Sequence, residues 1–250
     1  MNRVIRAGSL ILVGVLLTLS VSCAGSSMNM TPQELVSATD YKQFVPIEPV
    51  PSPTVTYTKA DGTEVTEAWS ALSNATIRTL LPNQESDMTT YKLDAQGEIK
   101  YLTASTSAEA GVYRVVMDYI QYTTENIYDN STLMAIGHVG VGLRITAEIT
   151  TIKANVDLGS LFALGVAAKL RVASGKLSVA ALGISSPEIT TLFPMPAEID
   201  DTSIQNALEA IAAIKSKIGD EATSLTPELI SVKVVDPALF GNSTLNTNLP

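Results

Sequence analysis

Residues 133–150 of this 250-residue chain read LMAIGHVGVGLRITAEIT, and their alternation decides the fold class. Aliphatic side chains recur at every second position over 139–149, while glycine, arginine and other polar residues fill the positions between them. This two-residue period predicts a long, half-buried β-strand with one face in the core. The glycines at 137, 140 and 142 indicate a bend, a bulge or the close approach of another backbone.

Other stretches predict antiparallel partners for this strand. Residues 54–65 place the turn pair Asp61-Gly62 between two β-favouring runs, which predicts a short hairpin. Four further strands are predicted at 88–93, 98–104 (joined to the first by a turn over Asp94–Gly97), 111–123 and, near the end of the chain, 229–235.

Two amphipathic helices are predicted to pack against the sheet. The first spans 66–81 and ends before Pro82. The second spans 203–218 and begins with a capping box formed by Thr202 and Gln205. The expected fold class is therefore α+β, with a mostly antiparallel sheet of meanders and hairpins and two or more amphipathic helices packed against it.

Residues 158–185 allow two interpretations. A helix over 158–172 suits the leucine and alanine content, at a cost of about 1 kcal/mol for its interior glycine. A hairpin turning at Ala173–Lys176 suits the alternation on either side of that turn. The interpretation we prefer is a helical turn near 158–164 followed by this hairpin.

The domain organisation follows from composition. Residues 54–240 are predicted to form a single α+β domain, and 241–250 a loose polar tail. Residues 23–53 are predicted to hold a short helix over 32–43 and then a proline-rich tether. Prolines at 46, 49, 51 and 53 favour an extended connector, and an ordered strand lying against the domain is the alternative.

The first 23 residues have the layout of an export signal. Arg3 and Arg6 precede an uncharged, apolar run over 7–22, and the only cysteine of the chain, Cys23, follows at once. Together with Leu19-Ser20-Val21-Ser22-Cys23, this layout resembles a bacterial lipoprotein signal peptide with its lipobox. The resemblance covers residues 1–23 only, and the remainder of the chain resembles no family that we can name.

This resemblance implies a location and an anchor. It implies cleavage after residue 22, lipidation of Cys23 and attachment to the membrane of the cell envelope through that lipid. Ala24 resembles the choice that sends such proteins to the outer membrane. The sequence departs from the family at Ser20, where the family usually has leucine.

The net charge of the chain restricts the classes of partner that it can bind. Removing residues 1–22 takes away two of the 16 Lys and Arg residues and none of the 25 acidic residues, which leaves a net charge of −11. A chain so acidic, without a basic cluster in its sequence, lacks the phosphate contacts that dominate nucleic-acid affinity, so we expect no nucleic-acid partner. Charge alone does not bring it to anionic lipid either.

The sequence offers no catalytic constellation, no cofactor motif and no metal-ligating set. His138 is the only histidine, and lipidation of Cys23 would leave no free thiol. We interpret His138 as an ordinary strand-face histidine.

Six of the eight tyrosines lie between Tyr91 and Tyr128. An exposed tyrosine surface could bind protein or glycan, which makes Tyr113, Tyr119, Tyr122 and His138 weak binding-surface candidates. The alternative is core and cross-strand packing of these tyrosines, which we prefer.

Three functions compete. The leading hypothesis is a membrane-anchored envelope lipoprotein that acts as a non-enzymatic binding or assembly module. The second is an envelope hydrolase with dispersed carboxylates, which a cleft with two carboxyl groups about 5–10 Å apart would favour. The third is a pore or secretion subunit that inserts the Gly- and Ala-rich hairpins of 133–185 into the outer membrane.

Overall fold

A computed structural model of the protein describes residues 44–93, 99–102, 108–129, 131–185 and 197–235. Several sequence-based predictions lie outside these residues. They are the leader over 1–22, the lipidation site Cys23, the helix over 32–43, the turn over 94–97 and the tail over 241–250.

Strands dominate the described residues. In chain order they are β1 (Val45–Pro51), β2 (Thr54–Thr58), β3 (Glu64–Ala68), β4 (Asn83–Leu93), β5 (Ile99–Leu102), β6 (Gly111–Asp129), β7 (Thr132–Thr151), β8 (Ala173–Leu182), β9 (Ile184–Ser185), β10 (Ala197–Glu198), β11 (Ser224–Leu225) and β12 (Glu228–Val234). The helices are α1 (Asn74–Leu80), α2 (Leu161–Lys169) and α3 (Asp201–Gly219), with a short 3₁₀ turn at Trp69–Ala71. None of the helices described combines the length and the apolar character needed to cross a bilayer.

The strand predicted over 133–150 is the centre of the sheet. As β7 it has 20 residues and is about 65 Å long, well beyond the usual 3–10 residues. Antiparallel β6 pairs with one edge of β7 from Gly111↔Thr151 to Asp129↔Thr132. Two strands share the other edge: β12 pairs with 135–140 and β8 with 142–151.

The remaining strands extend this arrangement. The order β1-β12-β7-β6-β4-β5 forms one curled sheet, with β8 on β7 and β10 on β8, and every pairing is antiparallel. Small two-stranded sheets, β2–β3 and β9–β11, complete it. The predicted class, α+β dominated by antiparallel sheet, is confirmed.

The core lies between one face of the sheet and the helices. Val141, Leu143 and Ile145 on that face of β7 are at most 1% exposed. Helix α3 contacts β7 and β8 through its apolar stripe, and α2 packs on β8 and α3. The buried side chains of that stripe are Ile204, Ala207, Ala210, Ile214 and Ile218.

The glycines of β7 mark the close approach of another backbone. A Cβ atom at Gly140 would overlap the carbonyl oxygen of Gln121, and one at Gly142 would overlap the carbonyl oxygen of Tyr119. Both obstacles are main-chain atoms of β6, which cannot move aside as a flexible side chain can. At Gly140 and Gly142, close approach of another backbone is therefore the role that the structure shows.

The predicted N-terminal helix over 66–81 is wrong in its first half. Val65 and Thr66 instead pair with β2, because β-branched residues suit a hairpin whose turn is supplied by Gly62 at φ +85°. Helix α1 starts only after Ser73, whose hydroxyl accepts a hydrogen bond from the backbone N–H of Thr76 at 3.1 Å.

The hairpin preferred for residues 164–185 is also wrong. Helix α2 continues to Lys169, and the expected turn at Ala173–Lys176 is instead the start of β8. Ser160 caps the helix through the backbone N–H of Ala163 at 3.0 Å, and Arg171, at φ 55°, ends it in a left-handed conformation. After the helix ends here, the chain continues into β8, which pairs directly with β7.

Helix α3 begins two residues earlier than predicted. Its capping box is formed by Asp200 and Ser203 rather than by Thr202 and Gln205. Asp200 accepts the Ser203 N–H at 2.7 Å, and the Ser203 hydroxyl accepts the Asp200 N–H at 2.9 Å. A carboxylate at this position also interacts favourably with the helix dipole.

The proline-rich tether is partly a strand. Residues 45–51 form β1 at the edge of the sheet, paired with β12, and Val45 and Pro46 are buried. An edge position suits proline, because its missing N–H leaves no ladder hydrogen bond unmade on the solvent side. The strand alternative is therefore the one found, and the folded body begins before Thr54.

The predicted half-burial of β7 is wrong in the middle of the strand. Residues 137–145 are buried on both faces, including His138 at 4% exposure and Arg144 at 7%. A strand hydrogen-bonded at both edges and covered on both faces must place its polar side chains against other protein groups.

We expect Gly142→Ala to lower the free energy of unfolding by about 1–3 kcal/mol, because the new methyl group forces β6 away from β7. Urea denaturation measures this change. Gly219→Ala, where a Cβ atom meets nothing within 4 Å, is the matched control and should change stability by less than about 0.5 kcal/mol. Equal effects of the two substitutions would contradict the close-approach interpretation.

Candidate functional site

The face of the sheet opposite the helices gathers ionisable side chains. The β4–β6 register aligns Asp87 with Asp118, and the β6–β7 register aligns Asp118 with Arg144. Glu85 and His138 lie on the same face, with 3.8 Å between Glu85 Oε2 and His138 Nδ1. We call these five residues the polar cluster.

Arg144 and Asp118 form the centre of the polar cluster. Arg144 Nε donates to Asp118 Oδ1 at 2.7 Å, and Arg144 Nη2 donates to Asp118 Oδ2 at 2.6 Å. Both side chains are less than 10% exposed. This planar, bidentate arrangement is the strongest form of an arginine–carboxylate contact.

The same guanidinium group also binds the backbone of the neighbouring strands. Arg144 Nη2 donates to the carbonyl oxygen of Ile230 at 3.0 Å, and Arg144 Nη1 donates to that of Ile47. Through one side chain, β7 is therefore bonded to β6, β12 and β1.

Burial sets the electrostatics of Asp118. Removal from water raises the pKa of this carboxyl group above its ordinary value, while the hydrogen bonds from Arg144 oppose the rise and the neighbouring Asp87 adds to it. Both oxygens of Asp118 are bonded to Arg144, and the residue is 5% exposed, so its carboxyl group is withdrawn from the surface.

His138 is held as an aromatic packing element. Its ring stacks on Phe44, with ring centroids 3.5 Å apart, and lies 3.9 Å from the ring centroid of Tyr122. Burial lowers the pKa of His138 to about 4, so the ring is neutral at neutral pH. The 3.8 Å distance to Glu85 is too long for a hydrogen bond.

Little space remains inside the polar cluster. A cavity of about 20 Å³ lies between Phe44, Asp87, Asp118, His138 and Ser231. This volume has room for one water molecule and not for a sugar ring or a peptide. Within the residues described, no group of three or more His, Cys, Asp or Glu side chains could hold a metal ion.

The tyrosine candidates divide between the two faces of the sheet. Tyr113 and Tyr119 are 1% and 9% exposed in the core beneath the helices, so an exposed binding surface at these two residues is wrong. Their hydroxyl groups bond to protein: Tyr113 donates to the Glu109 carbonyl at 3.1 Å, and Tyr119 accepts from Gln84 at 2.6 Å. Tyr122, half-buried, contacts His138 on the opposite face.

Sequence reasoning missed Asp118, which is the partner of Arg144. The signal was present in the composition of the two strands. Asp118 stands alone in an apolar run, VVMDYI, and Arg144 stands alone in VGLRI. A single charge within a buried strand requires a partner of opposite sign, and two such strands joined by a tight connection bring the charges together.

Comparisons with family models, with curated proteins and with solved structures found no match to this chain.

We expect Arg144→Met to lower the free energy of unfolding by about 3–5 kcal/mol, because it leaves Asp118 buried without its cation. The double substitution with Asp118→Leu should recover part of this loss, since neither charge is then stranded. Urea denaturation at pH 7 measures both variants against the wild-type protein. As a control, Lys59→Met breaks an exposed ion pair with Glu67 and should leave stability nearly unchanged. An Arg144→Met variant as stable as this control would contradict the interpretation.

A second prediction concerns acid stability. The unfolded chain protonates His138 near pH 6.5, whereas the folded protein does so only near pH 4. The contribution of His138 to stability is therefore complete above pH 6.5 and is lost as the pH falls toward 4, by about 2–3 kcal/mol. Urea denaturation between pH 7 and pH 4 should show a correspondingly shallower decline for His138→Gln. Parallel pH profiles for the two proteins would contradict this assignment.

Proposed function

We propose that this protein is an envelope lipoprotein, anchored to the outer membrane through a lipid on Cys23, and that its domain is a non-enzymatic binding or assembly module. The observation that carries the proposal is the lone cysteine directly after the apolar run over 7–22. Three acyl chains on one residue anchor a protein far more firmly than a single chain does.

The chain between anchor and domain supports this proposal. The first described residue, Phe44, lies 21 positions after Cys23 and belongs to the segment that lies on the sheet. Twenty intervening residues can span at most about 70 Å. A lipid on Cys23 would therefore keep the domain close to the membrane while leaving it free to contact partners there.

The chemistry of the polar cluster supports a non-enzymatic role. Asp87 and Asp118 are aligned as a carboxyl pair, as the hydrolase alternative requires, and burial raises the pKa of Asp118. The pair does not form an open cleft, because Arg144 binds both Asp118 oxygens and the adjoining cavity is about 20 Å³. In this arrangement the Asp118 carboxylate bonds β6 to β7.

The fold supports the pore alternative less well than the sequence pattern does. It required hairpins across 133–185, and residues 161–169 of that stretch are helical instead. Within 133–185, strands β7 and β8 are separated in the chain by this helix and are not joined by a hairpin turn.

We expect Cys23→Ser to abolish incorporation of radiolabelled palmitate in bacterial cells that process lipoproteins and to release the protein from the membrane fraction. Ser20→Leu, which restores the leucine usual in the lipobox, is the matched control and should keep or increase labelling. Gel fluorography of immunoprecipitated protein measures the label.

Two results would contradict the proposal. Palmitate label retained in Cys23→Ser would show that Cys23 is not the lipidated residue and would contradict the proposed anchor. Release of soluble sugar from envelope glycan by the wild-type protein but not by Asp87→Asn would overturn the non-enzymatic half and favour the hydrolase.

A further inference from the structure

Helix α2 carries an apolar face that no described part of the chain covers. Phe162, Val166 and Leu170 follow one another at four-residue spacing and are 76%, 41% and 67% exposed. Ile152, 65% exposed, lies beside them, because its backbone N–H donates to the Val172 carbonyl at 3.1 Å. We call these four residues Ile152, Phe162, Val166 and Leu170 the α2 patch.

The opposite side of α2 is already in the core. Leu161, Leu164 and Ala167 are buried, and Gly165 lies so close to Ile204 of α3 that an added Cβ atom would be 3.3 Å from its side chain. The helix is thus apolar on both sides, which is typical of a helix that is covered on both sides. A contiguous exposed apolar surface of this kind marks an interaction site.

The surface is shaped as an open groove. A volume of about 490 Å³ lies along α2, between Phe162, Val166 and Leu170 on the helix and the loop that begins at Lys153. This volume is more than twenty times that of the cavity in the polar cluster.

Basic residues surround the α2 patch. Lys153, Lys169 and Arg171 are exposed at its border. Lys169 is paired with Asp201 at 3.1 Å, Asp157 lies in the groove, and Glu109, close to Thr151, is paired with Lys92 at 3.2 Å. Long basic side chains beside an apolar surface can place their charges at lipid phosphates while their stems remain among apolar groups.

We propose that the α2 patch docks on the surface of an anionic bilayer, with Phe162 and Leu170 inserted at the boundary between headgroups and acyl chains. Lys153 and Arg171 then lie against lipid phosphates, where local positive charge adds to apolar burial. This inference deepens the proposed function, on which it rests for the lipid anchor that holds the domain near the membrane. It also gives the module a partner, the bilayer itself.

Charge favours a bilayer over a second copy of this chain. Two acidic copies meeting face to face would bring their basic rims together around a shared apolar contact, and like charges at that distance repel. An anionic membrane supplies the opposite charge over the whole rim.

The test uses tryptophan fluorescence on the full chain incorporated into vesicles of phosphatidylcholine and phosphatidylglycerol. Phe162→Trp places a reporter in the α2 patch, and Tyr128→Trp places one at the opposite end of the β6–β7 hairpin, where Tyr128 is 56% exposed. Trp69, 3% exposed, is the same background in both variants. Brominated lipid should quench the emission at position 162 at least twofold and leave that at 128 unchanged.

A charge variant and a flotation assay complete the design. Replacing Lys153 and Arg171 together by glutamine should reduce quenching at position 162 at least twofold. Flotation of vesicles carrying this double variant, in which docking is weakened, reports the lipid anchor separately. Protein with both basic residues that floats without quenching at 162 overturns the docking inference while leaving the anchor intact, and a double variant that fails to float overturns the anchor.

Two further results would also overturn the inference. Stronger quenching at position 128 than at 162 would place the hairpin tip, rather than α2, at the membrane. A lipid-free dimer in sedimentation experiments that Phe162→Ser converts to monomer would assign the α2 patch to self-association.

Discussion

The arrangement of this sheet depends on the buried contact between Arg144 and Asp118. The two residues are 26 positions apart and are aligned by the β6–β7 register, and the same guanidinium binds carbonyl oxygens of β1 and β12. A buried ion pair is weak support for overall stability, because the desolvation of two charges offsets much of their attraction. It is strong support for one register, since a shift of one residue would move Arg144 to the helix-covered face.

This contact explains why β7 can be buried on both faces. On one face Val141, Leu143 and Ile145 pack beneath the helices, as an ordinary core requires. On the other face Arg144 and Asp118 bond to each other, and the adjoining cavity leaves room for about one water. Phe44 completes that face by stacking on His138, so the segment that leads from the N-terminus is part of the central packing.

Sequence patterns predicted the elements that carry a clear period. The alternation around β7, the Asp61-Gly62 turn and the stripe of α3 each specify local structure on their own. What the sequence could not supply was pairing. Nothing in residues 133–150 indicates that β12 and β8 divide one edge of β7, because strand partners are chosen by distant segments and by the curvature of the whole sheet.

The same limit explains the errors around residues 158–176. Helix and strand patterns are equally apolar there, and the deciding features are the Ser160 cap and the left-handed Arg171, both local backbone details. The candidate site was missed for the same physical reason. Asp118 and Arg144 look like isolated charges until a register brings them together, whereas Tyr113 and Tyr119 look like a surface until burial is known.

The tether does not determine which end of the sheet faces the membrane. Phe44 stacks on His138, and residues 138 and 151 of β7 are about 43 Å apart along the strand. Residues 24–43 can span up to about 70 Å. A domain anchored through Cys23 can therefore contact the bilayer through α2 while Phe44 lies well above the bilayer. In the arrangement that we propose, orientation would therefore come from the surface of the domain, where the α2 patch lies at the far end of β7 from the hairpin tip.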